Sequence, residues 1–127
     1  MPKRTLMCGL VGIFDRRGTR EIDQAILQRM NTSLRHRGPD GEGTFFAPGI
    51  GLGHRRLSII DLERGHQPMF NDDESVAVVY NGEIYNFPEL KIELEKLGYS
   101  FRSHCDTEVI VHGWEAWGKA CVKKFRG

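Results

Sequence analysis

The chain reads as a single α+β domain. Three observations point there: hairpin signals that favour antiparallel sheet, apolar residues at helical spacing in between, and strands and helices in mixed order. A length of 127 residues allows one domain with one sizeable core.

The elements follow in order. Gly9 to Phe14 is a short apolar run closed by Asp15-Arg16-Arg17-Gly18, the pattern of a buried strand, and its glycines suit close backbone approach. Ile22, Ile26, Leu27, Met30 and Leu34 recur at helical spacing and predict an amphipathic helix from Thr19 to Arg35. Arg35-His36-Arg37-Gly38-Pro39-Asp40-Gly41 ends it in a cationic loop. Thr44 to Ala47 and Ile50 to His54 form a hairpin about Pro48-Gly49, its second strand thinned by glycine. Arg55 to Asp61 leads into a polar loop ending at Pro68, and Arg55 itself reads as a solvated cation.

Ser75 to Tyr80 is the clearest strand and runs into Asn81-Gly82, a strong turn signal. Asn86 is placed to cap a helix with Pro88 in its first turn, Leu90, Leu94 and Leu97 on one face, and Gly98 at its end. Tyr99 to Arg102 alternates as a strand. Asp106-Thr107 then caps a helix carrying Ile110, Trp114 and Trp117, and Ala120, Cys121 and Phe125 form a last short helix.

Composition excludes several classes. A net charge of +1 offers no nucleic-acid signal, and no apolar run approaches a membrane span. Three scattered cysteines, Cys8, Cys105 and Cys121, do not form a disulfide framework, which favours a reducing, cytoplasmic setting. His104, Cys105, His112 and Cys121 match no compact zinc spacing, so no metal is expected.

Cys8 stands at the lip of the first strand, where a lone cysteine is either a small buried hydrophobe or a nucleophile. The order Met7-Cys8 favours the second reading. Removal of a methionine before a small residue leaves Cys8 with a free α-amine, so that one residue carries nucleophile and base. Met1 to Leu6 stand against this, because with them attached Cys8 has no free amine. Residues 1–7 lack a secretory h-region and read as an upstream start, a short pro-segment or an expression remnant.

Six stretches in register carry a resemblance. They are Met7-Cys8-Gly9, Leu34 to Gly41, His54-Arg55-Arg56-Leu57-Ser58-Ile59-Ile60-Asp61, Gln67-Pro68, Asn81-Gly82-Glu83-Ile84-Tyr85-Asn86 and Cys105-Asp106-Thr107-Glu108-Val109-Ile110. Together they resemble the class II glutamine amidotransferase domain of glutamine-hydrolysing asparagine synthetases. Pro39-Asp40 and Ile84-Tyr85-Asn86 favour that branch over relatives with other ammonia acceptors.

The resemblance implies a four-layer αββα sandwich of the N-terminal-nucleophile hydrolases, with residues 8–127 as the amidotransferase domain. It implies hydrolysis of L-glutamine to glutamate and ammonia, the ammonia being used by an ATP-dependent synthetase domain of the same full-length chain to convert aspartate to asparagine. ATP and Mg are expected only there, and no cofactor in residues 8–127. Cys8 would attack the glutamine amide, with its α-amine moving the proton. Asn81 and Gly82 would stabilise the oxyanion. Arg56 would bind the α-carboxylate and Asp106 the α-ammonium. Glu83 and the main chain of Leu57, Ser58, Ile59 and Ile60 would complete the pocket.

Two other readings stand beside this one. In one, the leader blocks the Cys8 amine and leaves a silent glutamine-binding module; in the other, the same domain serves a related amidotransferase with another acceptor. The resemblance further implies that this chain holds only the earlier part of the sandwich. Unpartnered strand edges would then favour a homo-oligomer, and the helix from Asp106 to Trp117 would be the least firmly packed of the three.

Overall fold

The computed structural model describes residues 8–57 and 65–127. The chain divides into two compact units, each α+β and each with its own antiparallel sheet. The described part of the first comprises residues 8–57, His66–Pro68 and Val79–Asn81; that of the second comprises Gly65, Met69–Val78 and Gly82–Gly127.

In the first unit β1 (Gly9–Phe14), β2 (Gly41–Ala47) and β3 (Ile50–Arg56) form a sheet of order β1-β3-β2, so β3 is central. Gly53 lies opposite both Val11 and Thr44. Helix α1 (Gln24–Ser33) buries Leu27 and Asn31. The glycine-thinned strand explains that packing. A Cβ on Gly51 would stand 3.3 Å from Leu27 Cδ2, and one on Gly53 only 3.2 Å from the Asn31 amide, so these two positions admit α1 at close range. The Asn31 side-chain amide is fully buried without a hydrogen-bond partner among the described residues, at a cost of roughly 1–3 kcal/mol.

Helix α1 starts five residues later than its apolar spacing predicts. The Asp15 carboxylate accepts the N–H groups of Arg17, Thr19 and Arg20, which ties the intervening residues into a loop. Asp23 then caps the helix, accepting from Ala25 N at 2.9 Å and Ile26 N at 3.2 Å. Ile26, expected in the core, is exposed.

In the second unit β4 (Met69–Phe70) pairs with β5 (Ala77–Val78). The strand predicted over Ser75 to Tyr80 is thus only two residues long. Asn71 is one reason: its Oδ1 takes the Val76 N–H at 2.8 Å, and its Nδ2 reaches Asp73 and Ser75, so the residues before Ala77 form a side-chain-held turn. Asn81-Gly82 is no hairpin turn either, since neither residue has the positive φ that such a turn requires. Helix α2 (Phe87–Lys96) carries Pro88 in its first turn and ends before Gly98, whose φ is 98°. It buries Leu90 and Leu94 but exposes Leu97. The expected Asn86 cap is absent: its Nδ2 donates to Lys124 O and its Oδ1 accepts from Arg126 N.

Helix α3 (Thr107–Trp117) reverses the expected packing. It buries Thr107, Glu108, Val109, Val111, His112 and Gly113, against two residues each for α1 and α2, while Trp114 is exposed. Its core is polar. Glu108 accepts the N–H groups of Arg102 and Ser103 and the Ser103 hydroxyl, which converts the predicted strand at Tyr99 to Arg102 into an anchored coil. His112 lies between two carboxylates, Nε2 at 3.5 Å from Glu108 and Nδ1 at 3.1 Å from Glu115, with Tyr99 and Phe101 on its ring. Glu115 also accepts from Asn71 Nδ2 at 2.7 Å, which joins α3 to the β4–β5 turn. A 3-10 segment (Gly118–Lys124) buries Cys121 and closes the unit as the predicted short helix.

Burial pushes the His112 pKa down, but hydrogen bonds to Glu108 and Glu115 outweigh it and the net shift is upward. Burial pushes Glu108 up, and its bonds to His112, Ser103 and the Arg102 backbone outweigh that, for a net shift downward. The His112 contribution is therefore complete below its ordinary 6.5 and lost as pH rises through the raised value; that of Glu108 is complete above its ordinary 4.5 and lost as pH falls. The difference in unfolding free energy between the wild type and His112→Gln should be largest between pH 4.5 and 6.5 and shrink above 6.5. Denaturant titrations across pH check this, and a difference that grew with pH would contradict an imidazolium at His112.

Candidate active site

The first unit brings four of its segments to Cys8. The half-buried thiol accepts the Leu57 N–H at 3.3 Å and lies 3.7 Å from Leu57 O, where β3 ends. The Cys8 carbonyl accepts from Asn81 Nδ2 at 2.9 Å and from Arg37 Nε at 3.3 Å. Residues 8, 37, 57 and 81 are thus assembled around one peptide. The loop after α1 reaches this place because Gly38 seats directly on β3: a Cβ there would stand 2.5 Å from the Arg55 carbonyl carbon. Asp40 N donates to Arg56 O at 3.0 Å and fixes the loop beside the strand end.

The remaining predicted residues divide by unit. Arg56 is half-buried at the end of β3, opposite Gly41. Ser58, Ile59 and Ile60, expected to line the pocket, lie outside the described residues, as do residues 1–7. Gly82, Glu83 and Asp106 belong to the second unit, with Gly82 and Glu83 exposed. Asp106 occupies the N-cap position of α3 but makes no side-chain cap; instead its Oδ2 accepts the Ile84 N–H at 2.8 Å, joining the Gly82–Ile84 segment to the start of α3. Cys105 Sγ sits 3.7 Å from Asp106 Oδ1 and 3.4 Å from Thr107 Oγ1.

Two residues at β3 carry more than their sequence context suggests. Arg55 is buried, not solvated: its Nε donates to Asn31 O at 3.1 Å and its guanidinium pairs with Glu42 at 2.9 Å. The signal was its place on the central strand beside a small-residue face. His54 is 1% exposed with Nε2 3.2 Å from Tyr80 O, and burial, reinforced by the Arg56 charge and opposed by the Tyr80 carbonyl, holds its pKa below 6.5. Among the described residues no group of three or more His, Cys, Asp or Glu is arranged to hold a metal ion, and no helix is long and apolar enough to cross a membrane.

Comparison with known proteins decides the family. A family description of the glutamine amidotransferase domain matches residues 7–127. The chain belongs to the glutamine amidotransferase domain family. Among its relatives, "Asparagine synthetase [glutamine-hydrolyzing] 1" of Bacillus subtilis (strain 168) is 42% identical over 123 residues, and "Putative asparagine synthetase [glutamine-hydrolyzing] 2" of Methanocaldococcus jannaschii is 43% identical over 140. "Asparagine synthetase [glutamine-hydrolyzing] 2" of Oryza sativa subsp. japonica is 39% identical over 124. Each alignment covers 95% of this chain but only 20%, 26% and 20% of the relative, respectively, so the chain spans about a fifth to a quarter of the length of these three relatives.

Within the domain, Arg55 ties β3 to both α1 and β2. Arg55→Lys keeps the charge but cannot donate to Asn31 O and Glu42 in one planar fork. Because Glu42 is half-exposed, most of the loss should come from the buried carbonyl, about 1–3 kcal/mol of unfolding free energy. Denaturant unfolding checks it, and an unchanged midpoint would show the buried bond to be dispensable.

Proposed function

We propose that this domain is the glutaminase portion of a glutamine-hydrolysing asparagine synthetase. The observation that carries the reading is the Cys8 cluster: the thiol against Leu57 N–H and the Cys8 carbonyl against the Asn81 amide, all within stretches that carry the family likeness. Residues 8–127 are then the amidotransferase domain, built on the αββα plan of N-terminal-nucleophile hydrolases, and residues 1–7 precede the nucleophile.

The chemistry follows from the residues. With Cys8 as the terminal residue, its α-amine takes the thiol proton while sulfur bonds to the glutamine side-chain carbonyl carbon. Charge gathers on the carbonyl oxygen. An amide nitrogen carries two hydrogens, and Asn81 commits one to the Cys8 carbonyl, so the second serves the oxyanion together with the Gly82 N–H. The C–N bond breaks as the proton passes to the leaving nitrogen, releasing ammonia, and water then cleaves the thioester to glutamate. By the family resemblance Arg56 is assigned to the substrate carboxylate and Asp106 to its ammonium, with Glu83 and Leu57 as further substrate-binding residues. The ammonia acceptor, an activated aspartate, with the ATP and Mg that activate it, belongs to a synthetase domain of the kind the relatives' names describe. Three free thiols suit a reducing cytoplasm.

The test uses the chain processed to begin at Cys8. It should release ammonia from glutamine, and Cys8→Ala should abolish release while glutamine binding by calorimetry stays within about threefold, since recognition rests on charges elsewhere. Hydrolysis retained by Cys8→Ala would sink the assignment. Binding without turnover in the processed chain would make this a silent glutamine-binding module.

A further inference from the structure

Asn81 carries the oxyanion role in the reading above, yet no sheet holds the chain that leads into it. The ladder of β5 stops at Val78, and Tyr80 lies beyond it. Two side chains take over. The Tyr80 N–H donates to Gln67 Oε1 at 2.6 Å, and the Tyr80 carbonyl faces His54 Nε2 at 3.2 Å. A carbonyl only accepts, so His54 Nε2 bears the proton.

Both side chains are themselves fixed. His54 is fully buried on the central strand β3. The Gln67 main chain presses on β2 so closely that a Cβ at Gly43 would fall 1.9 Å from Gln67 O, a place only glycine leaves open. Tyr80 is thereby held at both its polar backbone groups, by His54 on β3 and by Gln67, whose main chain lies against β2, and the next residue, Asn81, lands with Nδ2 at 2.9 Å from the Cys8 carbonyl.

We infer that Gln67 and His54 are positioning residues of the glutaminase reaction, setting the Asn81 amide through the peptide groups of Tyr80 without touching substrate. The inference rests on the proposed function for its catalytic meaning, while the clamp itself is a property of the fold. Its selectivity is kinetic: a displaced oxyanion donor weakens the transition state, whereas substrate recognition lies with other groups.

The experiment compares the wild-type chain with Gln67→Leu, His54→Leu and His54→Gln, whose amide nitrogen falls where Nε2 stands. Hydrogen exchange in the wild type should show Tyr80 N–H protected although it lies outside the ladder, and Gln67→Leu should speed its exchange roughly tenfold or more with the β3 ladder unchanged. The Asn81 side-chain amide resonance should move in both Leu variants. In chains processed to begin at Cys8, both Leu variants should lose about tenfold or more in kcat with KM within about twofold, and His54→Gln should recover most of the loss. An unprotected Tyr80 N–H in the wild type overturns the clamp, even if every variant fails to fold. Equal changes in kcat and KM, or lost turnover with an unmoved Asn81 resonance, overturn the positioning role. If no form hydrolyses glutamine, the proposed function fails, and exchange together with the Asn81 resonance still decides whether the clamp exists.

Discussion

The first unit depends on close backbone approach to one strand. β3 is flanked by β1 and β2, and the small residues Gly51 and Gly53 let α1 settle against it. Gly38 lets the loop after α1 rest on the strand's last peptides. Each approach removes a side chain and so forgoes apolar burial, and the interface is held by polar groups: Arg55 to the Asn31 carbonyl, Asp40 to the Arg56 carbonyl. The Asn31 amide is the visible cost, a buried polar group without a partner among the described residues. The outcome is a strand end, His54 to Arg56 with Leu57 just beyond it, that contacts Cys8, Tyr80 and the loop at Asp40.

The second unit meets the same difficulty with charge. Its three longest segments of regular structure are short, and the coil between α2 and α3 must satisfy its own N–H groups. Glu108 does so for Arg102 and Ser103, which buries a carboxylate, and His112 then supplies the counter-charge. Glu115 takes the other imidazole nitrogen and passes the interaction to Asn71 in the β4–β5 turn. A buried carboxylate without such partners would lose more in hydration than its hydrogen bonds return. The packed face of α3 therefore carries Glu108 and His112 beside Val109 and Val111, and the tryptophans that its sequence offers as core lie toward the outside or the margin.

Those two habits explain what could be read beforehand. The α+β class, β1, the β2–β3 hairpin and the positions of all three helices were legible, because each rests on local periodicity and turn chemistry. The strands at Ser75 to Tyr80 and Tyr99 to Arg102 were not. Both segments have strand composition, but Asn71, Gln67, His54 and Glu108 claim backbone groups that a ladder would have used. For Tyr80 the competitors lie 13 and 26 positions away, outside any local window, whereas Asn71 and Glu108 act from five or six positions off, where strand composition masked them. Arg55 and His54 were missed for the same reason: their partners, Asn31, Glu42 and Tyr80, are joined to them only by the fold. The amidotransferase motifs were legible because their residues are contiguous, and the family match over residues 7–127 agrees with them.

Three of the residues that defeated local reading, His54, Arg55 and Gln67, belong to the same unit as the Cys8 cluster, and physics gives a reason for the two that hold Tyr80. A regular strand would hold Tyr80 and Asn81 through a ladder, and their side chains would then alternate strictly between two faces. Asn81 must instead direct its amide to the Cys8 peptide. Side-chain clamps free the chain from alternation and still leave its polar groups satisfied, which a bare loop would not. At Tyr80 the conflict between strand propensity and observed coil thus falls beside the site, a place where local rules are expected to yield. Asn71 limits β5 at its start, and beyond Val78 the peptide groups of Tyr80 are left to side chains: had the ladder continued, Gln67 and His54 would have nothing to hold.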